Sequence, residues 1–224
     1  MIKNISNLGD AALYCDFGNN VNKETNTEVI KYYQNIKNSN IYGINNLTPS
    51  YNKLIISFDL AITNFSKLKK IIENLSINKK ESLSSKKIEI PICCDELFSL
   101  DIKRLENKLN LEREKIFDNF LQNEYFCYMT GFIAGMPFLG DLDKNMRVKR
   151  LETPRVKVPK GSIGLTEQFT NIYTFESPGG WNIIGNTPIN VFDNENEESP
   201  NLISPGDTIV FKRIDINQYN KYND

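Results

Sequence analysis

The hydrophobic pattern of the chain changes at Tyr125, and this change constrains the fold more than any other feature. Before Tyr125, apolar residues recur at helical spacing, whereas after it glycines and prolines follow one another closely. Short apolar segments such as 183–184 and 209–211 lie between these turn signals, and residues 204–207 (Ser-Pro-Gly-Asp) predict a tight turn before the last strand. Such closely spaced turns are typical of an all-β barrel or sandwich.

The first eighty or so residues instead alternate strand and helix patterns. Apolar runs at 11–17 and 53–58 predict strands. Asn22 and Asn64 are expected N-caps, since each precedes apolar residues that recur at a helical period. This order predicts a compact sheet with helices on one face.

A polar stretch at 78–87 separates the two patterns and predicts a linker. We therefore expect an α+β chain, with an N-terminal α/β domain at 1–82 and a β-rich domain at 83–216. Two short helices are expected near the start of the second domain, the later one capped by Asn110. Residues 217–224 are expected to be a polar, frayed tail.

Composition excludes several classes of function. The chain has no histidine, which excludes Ser-His-Asp and Cys-His catalysis and removes most transition-metal sites. A net charge of −1 gives no general attraction to nucleic acid or to an anionic membrane. No apolar run approaches the roughly 20 residues that span a bilayer, and the first residues lack a signal-peptide pattern. We expect a cytoplasmic protein with no metal, no nucleic-acid partner and no membrane partner.

The four cysteines match no zinc-binding template. Cys15 and Cys127 lie in strand-like apolar segments, where a free thiol behaves as a small hydrophobic group. Cys93 and Cys94 are the thiols that merit a test of reactivity, because they stand before the polar pair Asp95 and Glu96.

Several segments, in the right order along the chain, resemble the PxpB/KipI family, also called allophanate hydrolase subunit 1. The most specific is Pro-Gly-Gly-Trp at 178–181, behind Val-Pro-Lys-Gly-Ser-Ile-Gly at 158–164. The other segments are 8–13, 48–54, 131–140, 153–155, 184–188 and 205–207.

The resemblance implies an N-terminal α/β domain followed by a cyclophilin-like β-barrel. It also implies a sister subunit of the PxpC or allophanate hydrolase subunit 2 type, and ATP-dependent opening of a small cyclic amide, 5-oxoproline, to glutamate. No Gly-x-x-x-x-Gly-Lys-[Ser/Thr] sequence is present, so ATP would bind by another mode or on the partner. The alternative is a non-catalytic protein that, like KipI, inhibits a histidine kinase or another partner.

The resemblance also directs attention to a candidate substrate site. Arg155, expected in a loop between two prolines, could grip a carboxylate. The N–H groups of Gly179 and Gly180 could stabilise an oxyanion, and Trp181 could form a flat wall. The alternatives are that the glycines only form a tight turn and that Trp181 fills the barrel. No catalytic residue is assigned; the remaining substrate-binding candidates are Phe132, Pro137, Phe138, Ser177 and Pro178.

Some positions depart from the family pattern. Cys94-Asp95-Glu96 stands where relatives carry Tyr-Gly-Gly, and Phe120 stands where they carry a histidine. A doubled Pro-Arg element is shortened to Pro154-Arg155. These differences favour the inhibitor, whereas the retained Arg155 and the segment 178–181 favour the enzyme subunit.

The linker prediction can be tested by limited proteolysis. Lys79, Lys80, Lys86 and Lys87 lie in or beside the polar stretch. A lysine-specific protease should therefore cut there first, because a polar segment with little to bury is the most accessible backbone. First cleavage within the β-rich half, read by mass spectrometry, would show that the boundary is wrong.

Overall fold

The computed structural model describes residues 1–75 and 85–222. The chain divides between Ser84 and Ser85 into two compact units. The predicted linker overlaps residues 76–84, which lie outside the described ranges, so its accessibility stays a prediction. In the described ranges, no helix is long and apolar enough to cross a membrane.

The first unit is a small antiparallel sheet with two helices. Its strands are β1 (Asn4–Asn7), β2 (Ala12–Asp16), β3 (Ile44–Pro49) and β4 (Lys53–Phe58), in the spatial order β1-β2-β4-β3. The helices are α1 (Lys23–Asn38) and α2 (Phe65–Glu73). Alternate residues of β2 and β4 point to one face, which both helices cover with apolar side chains.

Two asparagines begin the helices of this unit as predicted. The Asn22 side chain accepts a hydrogen bond from the Thr25 N–H at 2.9 Å, and Asn64 does the same for Lys67 at 3.0 Å. Each side chain satisfies a backbone donor that has no partner within the helix. Both predicted helix starts are therefore confirmed.

The second unit is built around a closed barrel. Its seven strands, within the described residues, run in the spatial order β10-β7-β6-β13-β5-β12-β9. They are β5 (Lys87–Cys93), β6 (Glu124–Thr130), β7 (Pro137–Gly140), β9 (Ser162–Thr166), β10 (Phe169–Ile172), β12 (Asn182–Asn186) and β13 (Thr208–Ile214). A separate two-stranded sheet pairs β8 (Arg155–Val158) with β11 (Ser177–Gly179). The predicted fold class, a small α/β domain followed by a β-barrel, is confirmed.

Among its described residues, the second unit has three α-helices, α3 (Ile102–Leu109), α4 (Arg113–Leu121) and α5 (Ile216–Asn220), and a short 3-10 helix at Lys144–Met146. The predicted cap at Asn110 is wrong: this residue ends α3 in the left-handed conformation, with φ 52°. Asparagine tolerates that conformation better than most residues, so it also serves as a C-cap. Glu112 is the N-cap residue of α4.

The expected frayed tail is partly wrong as well. Residues 216–220 form α5, whose first turn is closed by a capping box between Asp215 and Gln218. The Tyr219 hydroxyl donates to Asn186 Oδ1 at 2.8 Å, and its ring packs on Phe98. A side-chain anchor of this kind does not follow from the polar composition of the segment.

The turn at 204–207 forms as predicted, directly before β13, and it also contacts the residue that precedes β5. The Asp207 N–H donates to the Ser204 carbonyl at 3.0 Å, and Gly206 supplies the required positive φ of 100°. The buried Asp207 carboxylate accepts from the N–H groups of Ser204 and Lys86, both at 2.8 Å. It therefore ties the start of β13 to the start of β5.

All four cysteines are buried, which changes the expectation for Cys93 and Cys94. These two side chains are 1% and 2% exposed. Burial raises the pKa of Cys94 to about 12 and also raises the pKa of Cys93. Because the thiolate is the reactive form, neither residue is a nucleophile in the folded chain near neutral pH.

A thiol titration checks this conclusion. At pH 8 the folded chain should react only slowly with a disulfide reagent such as DTNB, and all four thiols should react once guanidinium unfolds it. Rapid reaction at Cys93 or Cys94, located by peptide mapping, would contradict the burial described here.

Candidate functional site

The candidate residues lie on the outer face of the barrel wall. Neighbouring residues of each wall strand point to opposite sides. Leu139 and Ile184 enter the barrel core, whereas Phe138 and Ile183 belong to an outer cluster. Val158 of β8 completes this cluster from the other side. The β8–β11 sheet thus covers the wall, and the candidate site lies at this cover rather than in the barrel lumen.

Arg155 is held by a buried carboxylate. It begins β8, and its Nη2 donates to Asp101 Oδ1 at 2.6 Å. Asp101 is 6% exposed, and its Oδ2 accepts from the Ile183 N–H at 2.7 Å. The Nη1 atom of Arg155 is buried without a hydrogen-bond partner. The expected loop position of Arg155 is therefore wrong, since this residue begins a strand and forms an ion pair with a buried carboxylate.

Asp101 was missed by the sequence analysis. It directly precedes α3, where an aspartate is ordinarily interpreted as an N-cap. Its side chain makes no capping hydrogen bond, because both oxygens are engaged by Arg155 and Ile183. The local pattern carries no signal for a partner that is 54 residues away along the chain.

Gly179 and Gly180 are not turn residues. Gly179 ends strand β11, and neither glycine has a positive φ. A Cβ on Gly179 would overlap the hydroxyl of the buried Tyr173. A Cβ on Gly180 would lie 3.1 Å from Nη2 of Arg150. Close approach of Tyr173 therefore explains the glycine at 179, whereas at 180 a shift of a few tenths of an ångström in the Arg150 side chain would make room for a Cβ.

Trp181 forms part of the outer surface. Its ring meets the edge of Phe138, with centroids 5.6 Å apart and an interplanar angle of 77°. Its Cβ lies close to Gly164, where an added Cβ would come within 2.9 Å of it. Trp181 is only half-buried and is not part of the barrel core. The hypothesis that it fills the barrel is wrong, and the position suits a wall beside a ligand.

Tyr173 is a second residue that the sequence analysis missed. Its phenol is buried, and burial raises its pKa, with partial opposition from the Asn171 side chain and the Trp181 backbone N–H. The ring lies against Gly179. At neutral pH it is therefore a neutral group that packs beneath the glycine pair and can hydrogen-bond.

The other candidates are not all brought together. Ser177 lies in β11 with a buried hydroxyl that has no hydrogen-bond partner, and Pro178 beside it is exposed. Pro137 is buried at the start of β7. Phe132 is 71% exposed in the loop that precedes β7, with φ 68°, and is not a member of the outer cluster that holds Phe138. The structure groups Ser177 to Trp181, Phe138 and Arg155, and leaves Phe132 apart.

Phe120 and Cys94, two positions that depart from the family pattern, are buried in the core of the second unit. Phe120 is fully buried between Tyr125 and Phe211, with ring centroids 5.1 and 5.0 Å away. Cys94 is buried as well. Within residues 1–75 and 85–222, no three His, Cys, Asp or Glu side chains lie together as a possible metal site.

Comparison with known families places the chain among carboxyltransferase domains. The model for the carboxyltransferase domain, subdomain C and D, matches residues 3–203. The chain is 30% identical to the 5-oxoprolinase B subunit of Bacillus subtilis over 230 residues, covering 97% of this chain and 95% of the relative. It is 36% identical to the 5-oxoprolinase B subunit of Haemophilus influenzae over 172 residues, or 76% of each chain. The chain belongs to the carboxyltransferase subdomain C and D family and, within it, to the PxpB/KipI group.

A solved structure agrees with this assignment. TTHA0988 superposes with a TM-score of 0.82 at 26% sequence identity, over 92% of this chain. The superposed region is 40% of the TTHA0988 chain. The present chain therefore spans about two fifths of that protein.

The ion pair predicts that Arg155 contributes to stability. Arg155→Ala should lower the free energy of unfolding by about 3 kcal/mol, the lower end for a broken buried pair, because Asp101 is left charged and unpaired. Adding Asp101→Asn should recover part of the loss, since no buried charge then remains. Lys157 lies on the same strand as Arg155 and forms an exposed ion pair with Glu176. Lys157→Ala should therefore leave the melting temperature unchanged. An Arg155→Ala chain that melts at the wild-type temperature would contradict the arrangement.

Proposed function

We propose that this chain is a subunit of a 5-oxoprolinase-type complex that opens 5-oxoproline to glutamate with the use of ATP. The observation that carries the proposal is the match to two 5-oxoprolinase B subunits over three quarters or more of both chains. The sister barrel subunit, of the PxpC or allophanate hydrolase subunit 2 type, completes the active complex. We also propose that the complex acts in the cytoplasm.

The geometry at the outer barrel wall suits an anionic lactam. One arm of the Arg155 guanidinium is fixed by Asp101, and the other has no protein partner. The unpaired arm is buried, so a ligand carboxylate would have to displace its cover before forming a charge-assisted hydrogen bond with it. The flat lactam ring would lie against Trp181 and Phe138, whose rings already meet edge to face.

The chain leaves part of the chemistry to its partner. It has no histidine, and its buried thiols are protonated at neutral pH. It also has no P-loop, so ATP binds by another mode or on the sister subunit. This chain binds and orients the amide in the proposal, and the assembled complex supplies the remaining groups.

Co-expression with the sister subunit tests the proposal. The two proteins should elute together in size-exclusion chromatography and should release glutamate only when both ATP and 5-oxoproline are present. Separate elution at micromolar concentration would contradict the partnership. A stable complex without 5-oxoproline turnover would favour the alternative, a KipI-like binding protein that inhibits its partner.

Arg155→Gln tests the site within that complex, because glutamine can still donate to Asp101. The KM for 5-oxoproline should rise about tenfold or more, the scale of a lost hydrogen bond to a charged group. Lys157→Gln on the same strand is the matched control and should leave KM unchanged. Equal KM values for Arg155→Gln and wild type would place the substrate elsewhere.

A further inference from the structure

The backbone of Arg150 is anchored beside the candidate site by hydrogen bonds of its two neighbours. The carbonyl of Lys149 accepts a hydrogen bond from Asn182 Nδ2 at 3.2 Å. The N–H of Leu151 donates to the Gly180 carbonyl at 2.7 Å. Arg150 stands between these two anchors, so its backbone cannot move away from Gly180 without breaking one of them.

The guanidinium of Arg150 lies directly on Gly180. A Cβ at residue 180 would come within 3.1 Å of Nη2 and 3.2 Å of Nε. Arg150 is exposed, and among the residues described it forms no ion pair, whereas Arg113, Arg155 and Arg213 do. A positive charge therefore lies beside Gly180, open to solvent and without an ion-pair partner among the described residues.

Arg150 and Arg155 flank the same short segment. Arg155 is the register partner of Gly179, and Arg150 covers Gly180. The positive charges of Arg150 and Arg155 act to lower the pKa of the Tyr173 phenol, against the larger effect of burial. Both arginines therefore lie near the phenol that packs against Gly179. Asp101 neutralises Arg155, so the cluster carries one net positive charge, located at Arg150.

We propose that Arg150 is a second anion-binding residue of this site, which holds a negatively charged ligand oxygen while Arg155 holds the ligand carboxylate. The identity of the ligand rests on the proposed function; the anion site itself does not. In a lactam, the second oxygen is the ring carbonyl. When water adds to the carbonyl carbon, the new C–O bond moves the π electron pair onto this oxygen. As that pair re-forms the carbonyl, the C–N bond breaks and both protons of the water end on the nitrogen. In the proposed reaction this ring opening is coupled to hydrolysis of ATP by a second water, which yields ADP and phosphate.

This role separates the two arginines kinetically. Arg155 binds a carboxylate that is charged before and during the reaction, so its loss raises KM. Arg150 faces charge that develops in the transition state, so its loss lowers kcat with little change in KM. In the assembled complex, Arg150→Gln should lower kcat by about tenfold or more, on the scale of a lost donor to an oxyanion. Lys149→Gln removes the same charge from the adjacent exposed position and should leave kcat unchanged.

A binding measurement tests the anion site without turnover. Trp181 is the only tryptophan of the chain and follows Gly180 directly, so its fluorescence reports on the site. Inorganic phosphate, a tetrahedral oxyanion, should change this fluorescence saturably in the wild-type chain. Arg150→Gln should weaken phosphate binding about tenfold, and Lys149→Gln should bind as wild type.

The outcomes distinguish the inference from the proposed function. No phosphate response in wild type, or equal phosphate affinity in Arg150→Gln and wild type, would overturn the anion site. An intact phosphate response in a complex that does not process 5-oxoproline would sustain the anion site and reject the proposed reaction. A kcat loss of the same size in Lys149→Gln would show that net charge, not the position of Arg150, matters, and would overturn the assigned role.

Discussion

The barrel wall is buried on both faces at β9 and β12, and the candidate site exists because of this constraint. Every residue of β9 and of β12 is buried. Since successive residues of a strand point to opposite sides, half of these side chains fill the barrel and the other half need a cover outside it. The β8–β11 sheet provides that cover through Val158, and the ends of its strands carry Arg155 and Gly179. The residues available to a ligand are thus those of the covering layer.

Asp101 links this layer to the wall. A carboxylate that is 6% exposed needs charged or hydrogen-bonding partners, and it obtains them from Arg155 and from the Ile183 N–H. Arg155 is therefore oriented by a contact that also supports the fold. The proposed binding role of Arg155 is thus tied to its role in stability, so glutamine, which keeps a donor, separates the two better than alanine does. Arg150 has no ion-pair partner among the described residues and can change without cost to the fold.

Local signals in the sequence predicted much of the framework. The caps at Asn22 and Asn64, strand β4 and the turn at 204–207 depend on neighbours within a few residues, and all formed as expected. The candidate site depended on contacts between distant segments. No local pattern places Asp101 beside Arg155 or Arg150 on Gly180. The Gly-Gly pair suggested a turn, although it is packing against Tyr173 that requires glycine at 179. The segment 178–181 indicated the region of the candidate site, whereas Asp101 and Arg150 could be identified only from the tertiary structure.

The pairing of β5 with β13 has a consequence for how the chain folds. These strands are parallel and in register from Lys87 with Thr208 to Cys93 with Ile214, so the first and last strands of the barrel are neighbours. The ring cannot close until the final strand has left the ribosome, and contacts of such long sequence separation make folding slow. The sheet of the first unit lies wholly within residues 4–58 and can form while the rest is still being translated. Until β13 is available, the edge of β5 that will face it stays unpaired. The chain is most exposed to aggregation in this open state, because unpaired strand edges can pair with other chains.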